Sequence, residues 1–336
     1  MKKVFISVLA VLLTLTFSSC REKNASSQTQ NEKSAKFTVL STIFPSYDWA
    51  KNLTQGSDSF AVDLLLKDGV DMHSYQPSAS DIVKISTADI FIYVGGESDE
   101  WVSDALKNAV NKDMIVINLM EVLKGFVKEE EVVEGMQAEH EHEDDGHEHE
   151  DEHDEDEHEH DDDEVEFDEH VWLSFTNAIA ASNQIARALM EKDESNSSIY
   201  MANLVAYMQK LVSLKNDYTS AFGEKTIIVC DRFPFRYLTD EFGLKYYAAF
   251  AGCSAETEAS FDTIAFLAQK INETNAKTIF VTESSDKKIA RTVISSSSHK
   301  DCKIVILDSM QSTTLKQAQK GANYLDIMRA NLEALK

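Results

Sequence analysis

The stretch SSIYMANLVAYMQKLVSLKNDYTSAF (197–222) decides how the chain is read. Tyr200, Leu204, Tyr207, Leu211, Leu214 and Tyr218 recur at alternating spacings of four and three residues. That period lines one apolar stripe along a continuous helix. Such a stripe faces a core. Its position near the middle of the chain also suits a rigid connector, here placed at 196–222.

Outward from this helix, short β-rich runs alternate with helical patterns on both sides. Phe37–Thr42, Phe60–Leu66, Ile90–Val94 and Met114–Leu119 precede it, with helices expected at Asp81–Thr87 and Glu100–Val110. Thr226–Val229, Tyr246–Phe250, Thr278–Val281 and Lys303–Leu307 follow it, with helices at Asp262–Asn275 and Lys287–Ser295. Strands alternating with helices imply parallel sheets with crossover connections, and here the pattern occurs twice. The expected fold is therefore α/β: two parallel-sheet lobes, 36–195 and 223–336, joined by one long helix that would limit hinge travel.

Length and charge set the outer bounds. The 336 residues suffice for one large domain or two moderate lobes. A formal net charge of −26 argues against nucleic-acid backbones as partners and favours cations. Much of that charge is local. From Glu139 to Asp168 nearly every residue is Glu, Asp or His, with seven histidines in the run. Such a segment buries no apolar area, so residues 128–166 are expected to form a disordered loop inserted in the first lobe. Imidazoles among dense carboxylates would collect divalent metal weakly, since ordering the loop around one ion costs entropy.

The N-terminus reads as a targeting segment. Lys2 and Lys3 precede the apolar run Val4–Phe17, and Ser18 and Ser19 lead into Cys20. The pattern is that of a lipoprotein signal peptide, 1–19, with Cys20 as the lipidated residue. Polar residues 20–35 form a flexible tether. The mature protein is thus expected outside the cytoplasm, anchored to a membrane. Cys230, Cys253 and Cys302 remain, so at least one thiol stays unpaired within the chain.

A tighter metal site requires ligands from the folded lobes. Outside the acidic run the histidines are His73, His170 and His299. His73 lies just beyond the strand Phe60–Leu66, and His170 just ahead of a helix carrying Ala178, Ala181, Ile185 and Ala188. Asp308 follows Lys303–Leu307, Glu283 follows Thr278–Val281, and Cys230 with Asp231 closes Thr226–Val229. Open parallel sheets place ligands at the carboxyl ends of their strands. Singly, each residue has a plain explanation as a cap or turn residue; together, and from both lobes, they point to a cleft site. His299 reads as a surface or capping residue, and Glu256 and Glu258 as groups near the cleft that support ligands.

Four motifs carry a family resemblance: HSYQPSASD (73–81), DEHVWLS (168–174), DRFPFRY (231–237) and LDSM (307–310). With the tail YLDIMRANL (324–332) and the His-rich insertion, the chain over 36–336 resembles the ZnuA-like zinc- and manganese-binding receptors of bacterial ABC importers. The resemblance implies two α/β lobes with metal between them, Zn2+ or Mn2+ as cargo, and a membrane permease as partner. It implies His73, His170 and Asp308 as ligands. At the third ligand position this chain departs from the family's His or Glu: Cys230 aligns there, followed by Asp231, with Glu283 on the same rim. A thiolate or an imidazole from the loop favours zinc, whereas two imidazoles with two carboxylates tolerate manganese.

The expected function is extracytoplasmic zinc capture by a monomer that delivers the ion to the permease, with no catalytic turnover. A manganese receptor, or a metal-buffering or adhesive surface lipoprotein, shares these residues. An extracytoplasmic metallohydrolase fits least, because no helix carries His-Glu-x-x-His and no Gly-x-Ser-x-Gly elbow occurs.

Overall fold

The computed structural model describes residues 35–137, 166–254 and 258–336. The signal peptide, Cys20, the tether to residue 34, Glu256 and the insertion over 138–165 lie outside them.

The described residues hold eight strands in two four-stranded sheets, with every pairing parallel. The first lobe runs β1 (Phe37–Ser41), α1 (Phe44–Leu53), β2 (Phe60–Leu64), α2 (Ala79–Thr87), β3 (Ile90–Tyr93), α3 (Trp101–Lys107), β4 (Ile115–Asn118) and α4 (Leu119–Val122). Next come α5 (Phe175–Lys192) and the long helix α6 (Ser197–Ala221). The second lobe runs β5 (Thr226–Arg232), α7 (Arg236–Phe242), β6 (Lys245–Phe250), α8 (Phe261–Thr274), β7 (Thr278–Val281), α9 (Lys288–Ser296) and β8 (Lys303–Ile306). Two more helices, α10 (Leu315–Gln319) and α11 (Tyr324–Leu335), follow. The sheet orders β2-β1-β3-β4 and β6-β5-β7-β8 repeat one topology. In each the strand order reverses beside the lobe's first strand, the switch point where α/β sheets open a crevice at their carboxyl ends.

The expected strands all form, shifted at their ends by a residue or two, and β5 runs on to Arg232. The six stripe residues of α6 are the buried ones of that helix. Each contributes roughly 1.5–3 kcal/mol by leaving water. They join one apolar cluster that includes Val39 and Ile90 of the first sheet and Val229 and Phe280 of the second. Because the lobes share this core, opening between them is restrained.

Two segments depart from the sequence reading. The foot of the insertion is ordered: Glu129 bridges Phe167 antiparallel, Gln137 bridges Phe250, and Met136 is buried. Val133 and Met136 supply apolar contacts that the surrounding acidic residues obscure. The final helix, expected in the second lobe, returns to the first. Tyr324 meets the edge of Trp49 at 5.5 Å, its N–H donates to Asp48, and its hydroxyl donates to the Trp172 carbonyl.

Candidate metal centre

The first wall of the site begins after β2. Asp71 caps a one-turn 3-10 helix, Met72–Ser74, by accepting the N–H of His73, while buried Met72 anchors the turn. Arg232, from β5, holds the Asp71 carboxylate in an ion pair. Burial opposes ionisation of Asp71, but the Arg232 charge keeps its pKa below the usual value. His73 Nδ1 lies 2.8 Å from Ser98 Oγ and 3.5 Å from Glu169 Oε2. Burial, then the neighbouring His170, push the His73 pKa down to about 3, so its ring is neutral at pH 7.

The second histidine sits in the turn ahead of α5, which begins when Ser174 accepts the N–H of Asn177. His170 is fully buried. Its Nδ1 lies 2.9 Å from Asp168 Oδ1, which also accepts the His170 backbone N–H at 2.8 Å. The Asp168 carbonyl accepts from the Tyr237 hydroxyl. With Nδ1–H given to a carboxylate, the hydrogen-bond pattern assigns the His170 lone pair to Nε2. His73 is arranged similarly, its Nδ1 hydrogen-bonded to the Ser98 hydroxyl with the Glu169 carboxylate close by. The two Nε2 atoms face each other at 3.3 Å. Two nitrogens bound to one tetrahedral zinc at about 2.0–2.1 Å would stand about 3.3 Å apart.

Glu169 backs this pair. Its Oε1 accepts the Ser98 N–H at 2.9 Å, and its buried Oε2 has no hydrogen-bond partner. Burial raises its pKa to about 7. Gly96, at φ +82°, makes room for it: a Cβ there would lie 2.3 Å from Glu169 Oε1.

The second lobe's groups fall into three places. Asp308 follows β8; its backbone is held by Asn331, and its carboxylate accepts the Met310 N–H. Burial, then the Glu283 charge, raise the Asp308 pKa to about 7. Glu283 accepts hydrogen bonds from Ser309 and Ser312. Ser309 Oγ donates to Gln311 Oε1, and Gln311 Nε2 lies 2.8 Å from His170 Nε2. Asp308 and Glu283 thus reach the histidines through the 308–312 loop rather than directly. Asp231 turns elsewhere, accepting from Thr282 and lining a separate cavity of about 600 Å³ with Glu258 and Asp286.

Cys230 is a correction. It is buried in a second apolar cluster with Ile228, Ala249, Ile271, Val281 and Cys302. Strand alternation is the cause: Ile227 and Val229 face the core shared with the first lobe, so Ile228 and Cys230 face the other way. Burial raises its pKa, and the thiol serves packing. The Cys230 side chain therefore lies in this second cluster and not on the face shared with the first lobe.

Sequence reasoning overlooked Cys253. It lies in the loop after β6, and its sulfur and one ring nitrogen each of His73 and His170 all lie within 4.8 Å of one another. The Cys253 N–H donates to Glu130 in the foot of the insertion. Neighbouring Gly252 permits close contact: a Cβ would meet the Phe233 carbonyl at 2.9 Å and the His170 ring at 3.2 Å. The available signal was the placement of Cys253 at the carboxyl end of a strand, shared with the other candidates. A cavity of about 340 Å³ reaches His73 and Cys253 and is lined also by Glu97, Glu100, Glu130, Glu166 and Glu169. This carboxylate-rich approach favours a cation.

Two parallel α/β lobes with buried, outward-braced imidazoles at their strand ends have the form of a two-lobed metal-binding protein. A family described as ZnuA, zinc-uptake complex component A, periplasmic, matches residues 39–336, and the chain belongs to that family. Over 308 residues it is 32% identical to the high-affinity zinc uptake system protein ZnuA of Bacillus subtilis, covering 91% of this chain and 88% of that one. The zinc-binding lipoprotein AdcA of Streptococcus pneumoniae (strain ATCC BAA-255 / R6) is 28% identical over 341 residues; this chain spans 61% of its length. Among solved structures, the Zn(II)-bound ZnuA-like domain of Streptococcus pneumoniae AdcA is similar with a TM-score of 0.66 and 25% identity, covering 90% of this chain and 98% of that one. The metal-dependent lipoprotein YcdH of Bacillus subtilis gives 0.66 and 27%, with coverages of 89% and 98%.

Proposed function

We propose that this chain is the extracytoplasmic zinc-binding component of an ABC metal importer, holding Zn2+ between its lobes and delivering it to a membrane permease. The observation that carries the reading is the pair of Nε2 atoms at 3.3 Å, each ring braced at its other nitrogen. Family membership and similarity to relatives named for zinc uptake point the same way. His73 and His170 bind first, and Asp308 supplies a carboxylate as the lobes close on the ion. A dication there relieves the Asp308–Glu283 repulsion that raises the Asp308 pKa. Cys20 carries the lipid that keeps the monomeric receptor near its permease. Capture and release leave the cargo chemically unchanged, so the protein turns over no substrate.

The test is zinc uptake and growth under zinc limitation in cells carrying the wild-type chain or its His73→Ala/His170→Ala double variant. The expected result is loss of uptake in the variant at unchanged protein level. Wild-type uptake by the double variant would overturn the reading.

A further inference from the structure

We propose that Cys253 is a third zinc ligand, a thiolate supplied by the second lobe that makes the site selective for zinc over manganese. This rests on the reading of the chain as a zinc receptor and deepens it. Three observations carry it. The first is convergence: among the described residues, His73, His170 and Cys253 are the group of potential ligands whose donor atoms come together. A nitrogen and a thiolate sulfur on one tetrahedral zinc stand about 3.6 Å apart, given bond lengths of about 2.0 and 2.3 Å. The 4.8 Å span of the three donors therefore closes with a shift of about 1 Å or less.

The second is construction. Glu130 fixes the Cys253 backbone from the foot of the insertion. Gly252 lets the loop lie against the His170 ring, where any side chain would collide. Lys128 helps to seat the same foot: its N–H donates to the Tyr237 hydroxyl, whose own proton goes to the Asp168 carbonyl. The loop with the thiol and the turn with His170 are thus locked to common partners.

The third is contrast within one residue type. Cys230 and Cys302 are buried in an apolar cluster, whereas Cys253 is partly exposed and lines the acidic cavity beside His73. Only such a placement lets an arriving ion reach the sulfur. On binding, the S–H bond breaks, its proton passes to water and the sulfur lone pair goes to the metal. Thiolate suits zinc, while manganese prefers carboxylate, carbonyl and water oxygens.

Cobalt(II) is the probe, because a thiolate bound to it gives an intense sulfur-to-metal charge-transfer absorption that imidazole and carboxylate do not. The full-length protein is titrated with Co2+, then back-titrated with Zn2+ and separately with Mn2+. The band is expected in the wild type and in Cys20→Ser, Cys230→Ser and Cys302→Ser, and is expected to vanish in Cys253→Ser. That variant should also lose zinc affinity by at least about tenfold, no less than the loss of an outer-shell partner costs. Cys253→His replaces one ligand by another and should keep tight zinc while losing the band, which separates ligation from folding. Tight cobalt without the band, or a band that survives Cys253→Ser, overturns the inference and leaves the receptor reading standing. No tight zinc or cobalt in the wild type overturns both.

Discussion

On the first-lobe wall of the cleft each histidine is braced by neighbours on its own side: His170 by Asp168, His73 by Ser98 and Glu169. On the second-lobe wall, Cys253, Glu283 and Asp308 stand on three separate loops after β6, β7 and β8, and Glu283 is linked to His170 through Ser309 and Gln311. The difference is one of preorganisation. The first wall presents two oriented lone pairs before any ion arrives, so little ordering cost remains to be met on binding. The second wall carries Asp308, whose burial and then the nearby Glu283 charge disfavour its ionised, metal-free state. Metal removes that penalty. On the proposed reading, affinity is therefore set mainly by the first wall, and closure by the second.

Substitutions on either side sharpen the contrast. The larger effect is expected from Asp168→Asn, which touches no metal. Loss of the carboxylate leaves the His170 tautomer unfixed, and zinc affinity should fall about 10- to 100-fold. A chelator-competition titration reads this. Affinity within twofold of the wild type would mean that the first wall is not held in the way described.

Asp308→Asn is expected to give a smaller effect, with a sign that depends on pH and metal. The folded-state pKa of Asp308 is raised from 3.8 to about 7. Between those values the folded protein holds a proton that the unfolded chain has released, so this group's contribution is fully present below about pH 4 and lost as pH rises through 7. Asn removes the penalty. Metal-free Asp308→Asn should therefore be more stable than wild type at pH 8, by at most about 4 kcal/mol, and no more stable at pH 4. Denaturant melts at the two pH values check it. With zinc bound the gain should disappear, because the variant forfeits a ligand.

The fold was largely legible. Runs such as Ile90–Tyr93 and Thr278–Val281 are β-rich and fully apolar, as strands covered on both faces must be, and the Tyr200–Tyr218 stripe has the period of one helix. The site was legible in part. His73 and His170 stand out because histidines beside strand and helix ends are scarce in this chain outside the acidic run. Cys230 and Cys253 could not be ranked from sequence, because which face of β5 meets the shared core depends on packing between lobes. Strand alternation, once Val229 is seen to face that core, sends Cys230 into the second apolar cluster. The ordered foot of the insertion escaped notice because Val133 and Met136 sit among acidic residues whose composition alone argues for disorder.

The central claim is that one zinc ion binds tightly between the lobes on His73 and His170. It is tested most directly by chelator-competition titration of the full-length protein, with bound metal counted after dialysis. The expected result is one tightly held zinc per chain in the wild type, with weaker sites also filling at higher zinc, and none tightly held in the His73→Ala/His170→Ala variant. One zinc retained with undiminished affinity by that variant would contradict the account.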